Sequence, residues 1–194
     1  TVDQILEIIQ SIDGYDLRFP ALQACLELLL TINDGLTDYQ PILDELSILS
    51  ISAFKEIEDL DLESNDTIQL FFSITKNLAI LGQADMFEFL QMSVSDLPSA
   101  QMTPYAICAA EIGQALADRN WFDLSTEIVE TCIDREEYSR DALAQIAVLL
   151  AQTTHQTEDE SWLESSLELA STIPGYRQRE EALSKISITI AELA

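Results

Sequence analysis

Residues 11–22 read S-I-D-G-Y-D-L-R-F-P-A-L, and residues 171–183 read S-T-I-P-G-Y-R-Q-R-E-E-A-L. From the isoleucine onward the two share six of eleven positions at identical spacing: Ile12/Ile173, Gly14/Gly175, Tyr15/Tyr176, Arg18/Arg179, Ala21/Ala182 and Leu22/Leu183. With five Gly and five Tyr in the chain, that coincidence marks an internal repeat, and a repeat decides the architecture. Glycine permits a tight turn. Apolar residues at helical spacing flank it on both sides, so the phrase reads as the corner of an antiparallel helical hairpin. Tyr15 and Tyr176 are expected to lie over the turn as apolar lids. Arg18 and Arg179, at the start of a second helix, are expected to pair with a carboxylate such as Asp16 or Glu180, or with the previous hairpin.

Working outward, the same pattern fills the chain. Trp121-Phe-Asp-Leu-Ser-Thr-Glu-Ile-Val aligns with Trp162-Leu-Glu-Ser-Ser-Leu-Glu-Leu-Ala. Ala142-Leu143-x-x-Ile146-Ala147-x-x-Leu150-Ala151 aligns with Ala182-Leu183-x-x-Ile186-Ser187-x-x-Ile190-Ala191. Five hairpins are predicted, at about 1–34, 39–82, 84–118, 120–152 and 158–194. Pro20 and Pro104 are placed in the first turns of helices, where a missing N–H costs nothing. The second hairpin is expected to break near Ser50-Ile51-Ser52, and Thr153–Glu160 is expected to form a polar loop. Gly82 is a helix stop, and Glu158-Asp159-Glu160 suits a helix N-terminus. Trp121 and Trp162 occupy equivalent helix starts and are expected to pack between repeats.

These paired helices resemble the TPR-like and HEAT-like helical-repeat superfamily, over nearly the whole chain as a pattern. The tetratricopeptide signature has a strict period of about 34 residues and a Trp-x-x-Leu-Gly-x-x-Tyr run that is absent here, Trp121-Phe-Asp-Leu being only a fragment of it. The resemblance implies an all-α, right-handed α-solenoid of about five antiparallel hairpins in one helical-repeat domain, residues 1–194. It also implies a protein-interaction scaffold. It carries over no particular ligand residue.

Charge narrows the partners. Asp and Glu number 35 against 9 Lys and Arg, a formal net charge of −26. Nucleic acid and anionic membrane need cationic surface and are disfavoured. A basic protein or peptide is the expected partner. In helical-repeat arrays the first helices of the hairpins commonly line the concave groove. Asp3, Glu7, Asp44, Glu88, Asp123, Glu127, Glu164 and Glu168 lie on those helices and are the candidate partner-binding residues. Two other readings stand beside this one: a self-assembling structural array, and an acidic decoy that competes with DNA for a basic protein.

Chemistry finds little purchase. His155 sits in the polar segment after residue 152, and no nucleophile motif accompanies it. Asp59–Asp66 has the acidity of a calcium loop but lacks its central Gly, with Leu70 where the last ligand belongs. Cys25, Cys108 and Cys132 lie in apolar stretches without metal-ligand spacing, so buried reduced thiols are expected. No catalytic residue, metal or cofactor is predicted, and the protein is not expected to be an enzyme. Reduced thiols and the lack of a signal peptide or apolar span suggest a cytoplasmic setting. The chain starts at Thr1, and its terminal hairpins match each other. Both features suggest an excerpt of a longer array, or end-to-end self-association.

Overall fold

The computed structural model describes residues 2–12, 15–31, 40–58, 65–83, 87, 99–133 and 136–193. Among them there are nine α-helices and no strand. The helices are α1 (Val2–Ser11), α2 (Tyr15–Thr31), α3 (Gln40–Glu58), α4 (Asn65–Ile80), α5 (Ser99–Leu116), α6 (Arg119–Cys132), α7 (Glu136–Thr157), α8 (Ser161–Thr172) and α9 (Tyr176–Leu193). The chain divides into two compact units, Thr1–Ser93 and Val94–Ala194. The opening part of the hairpin predicted at 84–118, with the candidate Glu88, and the segment Asp59–Ser64 lie outside the described residues, except that Phe87 is helical and buried.

In the first unit, α2 packs on α3 and α4, and α1 packs on α2 and α3. Leu22, Leu26 and Leu29 of α2 meet a core that includes Leu43 and Leu46 of α3 and Phe71, Ile74 and Leu78 of α4. No break occurs at Ser50–Ser52: α3 runs unbroken through 19 residues. The buried hydroxyls of Ser47 and Ser50 donate to the carbonyls of Leu43 and Leu46, at 2.9 and 2.7 Å, so these serines satisfy themselves inside the helix. Gly82 ends the segment after α4, as expected. At φ +97° it lets Gln83 N–H reach the Leu78 carbonyl (2.9 Å) and its own N–H reach Ala79 (3.0 Å).

One detail of the opening phrase adds to the expectation and one differs from it. Arg18 donates from Nε (3.3 Å) and Nη2 (2.9 Å) to the carbonyl of Ile12. The hairpin folds the start of α2 back beside the end of α1, where the negative dipole end and orphan carbonyls attract a cation. Tyr176 is 70% exposed and is no lid. Its hydroxyl donates to Glu180, which raises its pKa, and the Arg140 guanidinium lies over Gly175 instead, 3.3 Å from where a Cβ would stand. Gly175 has φ +98°, so the turn does require glycine.

In the second unit each helix packs on the next. Alternate helices also pack, α5 on α7 and α7 on α9. Small residues allow the close approach. Ala147, Ala151, Ala170 and Ala182 are buried together with Ile173 and Ile186. Helix α5 is buried on several faces, with Met102, Tyr105, Ala106, Ala109, Ala110 and Ile112 all covered. It starts upstream of the expected point, so Pro104 is an interior residue, as Pro20 is in α2. Each proline removes one helical N–H without ending the helix.

One contact recurs with the repeat. Buried Ser125 of α6 donates from Oγ to the Ala106 carbonyl of α5 at 2.6 Å, and buried Ser166 of α8 donates to the Ala147 carbonyl of α7 at 2.6 Å. Each bond spans 19 positions, and each serine is the fifth residue of its aligned tryptophan segment. A serine in the middle of an apolar helix contact thus has a dedicated acceptor, the second lone pair of a helical carbonyl. The tryptophans are less alike: Trp162 is buried against Phe122 (ring centroids 5.6 Å apart), whereas Trp121 is half-buried.

The segment 153–157 is helical and forms the last turn of α7. Thr153 and Thr154 are polar by type yet buried, and Thr153 Oγ1 donates to the Leu149 carbonyl at 2.9 Å. The expected loop is therefore confined to the residues after Thr157. Asp159, one residue before the N-cap Glu160 of the next helix, accepts from the N–H (2.9 Å) and hydroxyl (2.6 Å) of Ser161, and these bonds hold its carboxyl below the usual range.

Helix α5 ends in the same hydrogen-bond pattern as the Gly82 turn, but with Ala117 in the left-handed region at φ 51°. Ala117→Gly is expected to stabilise the fold by about 0.5–1 kcal/mol, the relieved strain exceeding the extra entropy of the unfolded chain. Urea unfolding followed by circular dichroism reads this directly; a midpoint that falls would show that the alanine is unstrained.

Candidate functional site

The second unit carries an open trough of about 510 Å³ on the face formed by α5, α7 and α9. Its floor is apolar: Ile107 from α5, Ala144, Val148 and Leu149 from α7, and Ala182 from α9. Alanine at 144 and 182 leaves a depression where larger side chains would fill the seam between helices. Its walls are polar. Glu111 stands on α5, Asp141, Gln145 and Gln152 on α7, and Gln178, Glu181 and Lys185 on α9. Three carboxylates thus face one ammonium.

That ammonium is already engaged. Lys185 Nζ lies 2.9 Å from Glu181 one helical turn away, and the bond keeps the Glu181 carboxyl below the ordinary glutamate range. Across the seam Gln114 Nε2 donates to Gln152 Oε1 at 3.0 Å, tying α5 to α7. The trough offers apolar contact with carboxylate and amide acceptors at the rim. It suits an extended chain with aliphatic anchors and cationic or amide-rich flanks.

None of the candidate first-helix acids among the described residues lines this trough. Asp3 lies on α1, with Glu7 exposed one turn further on. Asp44 is exposed on α3 and accepts from Gln40 Nε2 and Gln83 Nε2, both at 3.0 Å. Asp123 and Glu127 are exposed on α6, and Glu164 and Glu168 occupy the aligned exposed positions of α8. These four recur at aligned, exposed positions of α6 and α8, outside the trough. The trough eludes sequence reading because its residues come from three segments, none individually unusual. The useful signal is variation between aligned copies: Gln145 stands opposite Lys185, and Ala144 opposite Ser184.

Reactive groups are sparse in the same unit. His155 is exposed on the last turn of α7 rather than in a loop. Cys108 is buried and in no disulfide, as is Cys25 in the first unit, where burial pushes the thiol pKa up and suppresses the thiolate. Among the described residues no group of three or more His, Cys, Asp or Glu side chains is placed to hold a metal ion, and no helix is long and apolar enough to cross a membrane.

Comparison with known proteins adds no relative. No family model matches the chain. No curated protein and no solved structure matches it either. The trough and the recurrent serine contact therefore carry the functional reading.

Proposed function

We propose that this chain is a right-handed α-solenoid acting as a non-catalytic protein-interaction scaffold, and that the α5–α7–α9 trough holds a basic, extended segment of a partner protein. The observation that carries the reading is the trough itself: an aliphatic floor rimmed by Glu111, Asp141 and Glu181. Neighbour and next-neighbour helix contacts within each unit, with serine bonds recurring at the repeat spacing, support the solenoid arrangement. A strongly acidic chain also attracts a cationic partner before contact, and raises its on-rate.

The test uses fluorescent peptides in which Lys or Arg alternates with Leu. Reversing Asp141 and Glu111 to lysine is expected to weaken binding at least about tenfold. Raising salt from about 50 to 300 mM is expected to weaken wild-type binding by a similar factor. Reversal at Glu127 and Glu168 is the contrasting pair, since both lie outside the trough. If only that second pair matters, the first-helix face is the binding surface and the trough assignment is wrong. Binding indifferent to both pairs and to salt would remove the acidic-groove mechanism altogether.

A further inference from the structure

One side chain in the trough carries the same sign of charge as a basic guest. Asp141 and Gln145 of α7 align with Glu181 and Lys185 of α9, and all four line the trough. Each copy therefore shows a carboxylate and, one turn later on the same face, a second polar group. On α7 the second group is a neutral amide. On α9 it is an ammonium, and Lys185 Nζ lies 2.9 Å from Glu181 Oε1. Glutamate four residues before lysine is the favourable order on a helix. Lys185 is the sole Lys or Arg among the described lining residues, and Glu111 of α5 adds a third carboxylate. Three carboxylates against one ammonium leave two negative charges uncompensated within the trough.

We propose that Lys185 is a tethered counter-ion: it matches the trough to a guest segment with two cationic side chains and rejects a third. This rests on the reading that the trough holds a basic segment. A guest cation approaching the α9 wall meets a carboxylate already paired and an ammonium of its own sign beside it. It reaches Glu181 only by displacing Lys185, so one ion pair replaces another with little net gain. The displaced ammonium stays on its stem beside the guest, and two like charges about 4 Å apart weaken an equilibrium about fivefold even in water. At Asp141 the equivalent neighbour is Gln145, whose amide donates or accepts without adding repulsion. The Glu181–Lys185 pair is weak in itself, because both side chains are more than half exposed, at 59% and 54%. It neither seals the trough nor fastens α9. Its effect is on the charge that the α9 wall offers to a guest.

The probes are fluorescent peptides of equal length in which leucine alternates with polar residues. Two polar residues are lysine in the first; in the others a third lysine is placed at each remaining polar position in turn, the rest being glutamine. Anisotropy titrations against the full chain run at about 0.15 M salt, where charges beyond about 8 Å are largely screened. The wild type is expected to bind the two-lysine and three-lysine peptides within about twofold of one another. Lys185→Gln is expected to favour a three-lysine peptide at least about fivefold, at one position of the third lysine. Lys185→Arg keeps the charge and is expected to match the wild type. Lys76→Gln removes the same charge from the first unit, away from the trough lining, and is expected to leave the ratio alone. The change in ratio isolates the coupling between the guest's third lysine and Lys185. Lys185 is exposed, and an unchanged circular-dichroism melt verifies that its variants are folded. Wild-type binding whose ratio Lys185→Gln does not move, or moves no more than Lys76→Gln does, overturns this proposal and leaves the trough reading standing. Binding of no peptide by wild type or variant rejects both. A three-lysine peptide bound by Lys185→Gln alone supports both.

Discussion

Trp162→Ala is expected to cost about 3–5 kcal/mol of stability. The indole is buried between two elements: Phe122 meets one side, and the Arg119 guanidinium lies 4.3 Å from the ring centroid. Arg119 is held there by donating to Ser161 Oγ (2.6 Å) and Ser165 Oγ (3.0 Å). Truncation therefore opens a cavity, removes an aromatic pair and a cation–π contact, and uncovers Phe122. Against a typical total of about 5–15 kcal/mol, a loss of that size brings the second unit close to unfolding. Trp162→Phe is expected to recover more than half, because a smaller ring still fills most of the space. Urea denaturation by far-UV circular dichroism measures both. Equal midpoints for the alanine variant and the wild type would mean that the ring is not part of the core. A transition confined to part of the signal would show the two units unfolding separately.

Gly113→Leu is the second large effect, with an expected loss of about 3 kcal/mol or more. Gly113 has no unusual backbone requirement; its constraint is space. A Cβ there would stand 2.9 Å from Phe122 Cδ2 and 3.0 Å from both Phe122 Cε2 and Trp121 Cβ. The last atom is tied to the α6 backbone and cannot swing away, so α6 must shift and the Ser125 bond to Ala106 lengthens with it. Gly82 is the control: it has φ +97° and nothing within 4 Å of the same position. Gly82→Ala is therefore expected to cost only the left-handed penalty of about 1–2 kcal/mol. A Gly113 variant as stable as wild type would mean that α5 and α6 tolerate separation there.

The periodic apolar residues made the helices legible, because burial of one stripe needs no knowledge of the partner. Gly175 and Gly82 were legible for a similar reason, since a turn with positive φ leaves glycine as its local mark. Polar residues misled wherever they were buried. Thr153 and Thr154 look like loop, and Ser50 looks like a break, yet each lies in a helix whose environment is apolar. Ser125 and Ser166 stood in the aligned segments, but their acceptors lie on other helices, so their role was invisible. Gly113 gave no sign because close approach depends on which residue the facing helix presents. The trough depends on three separated segments lying side by side, and composition could say only that an acidic surface would exist.

The paired serine bonds also bear on how the joint between α7 and α8 responds to force. A purely greasy contact keeps most of its area when one helix creeps along the other, so it yields gradually. Ser166 has a matched acceptor on the facing helix, and creep by one residue would break that bond and turn the hydroxyl back on its own helix, at a cost of about 0.5–1.5 kcal/mol. With the same tooth at Ser125, load along the α5–α6 and α7–α8 joints meets notches rather than a smooth track. Such joints deform elastically and return to register, instead of flowing.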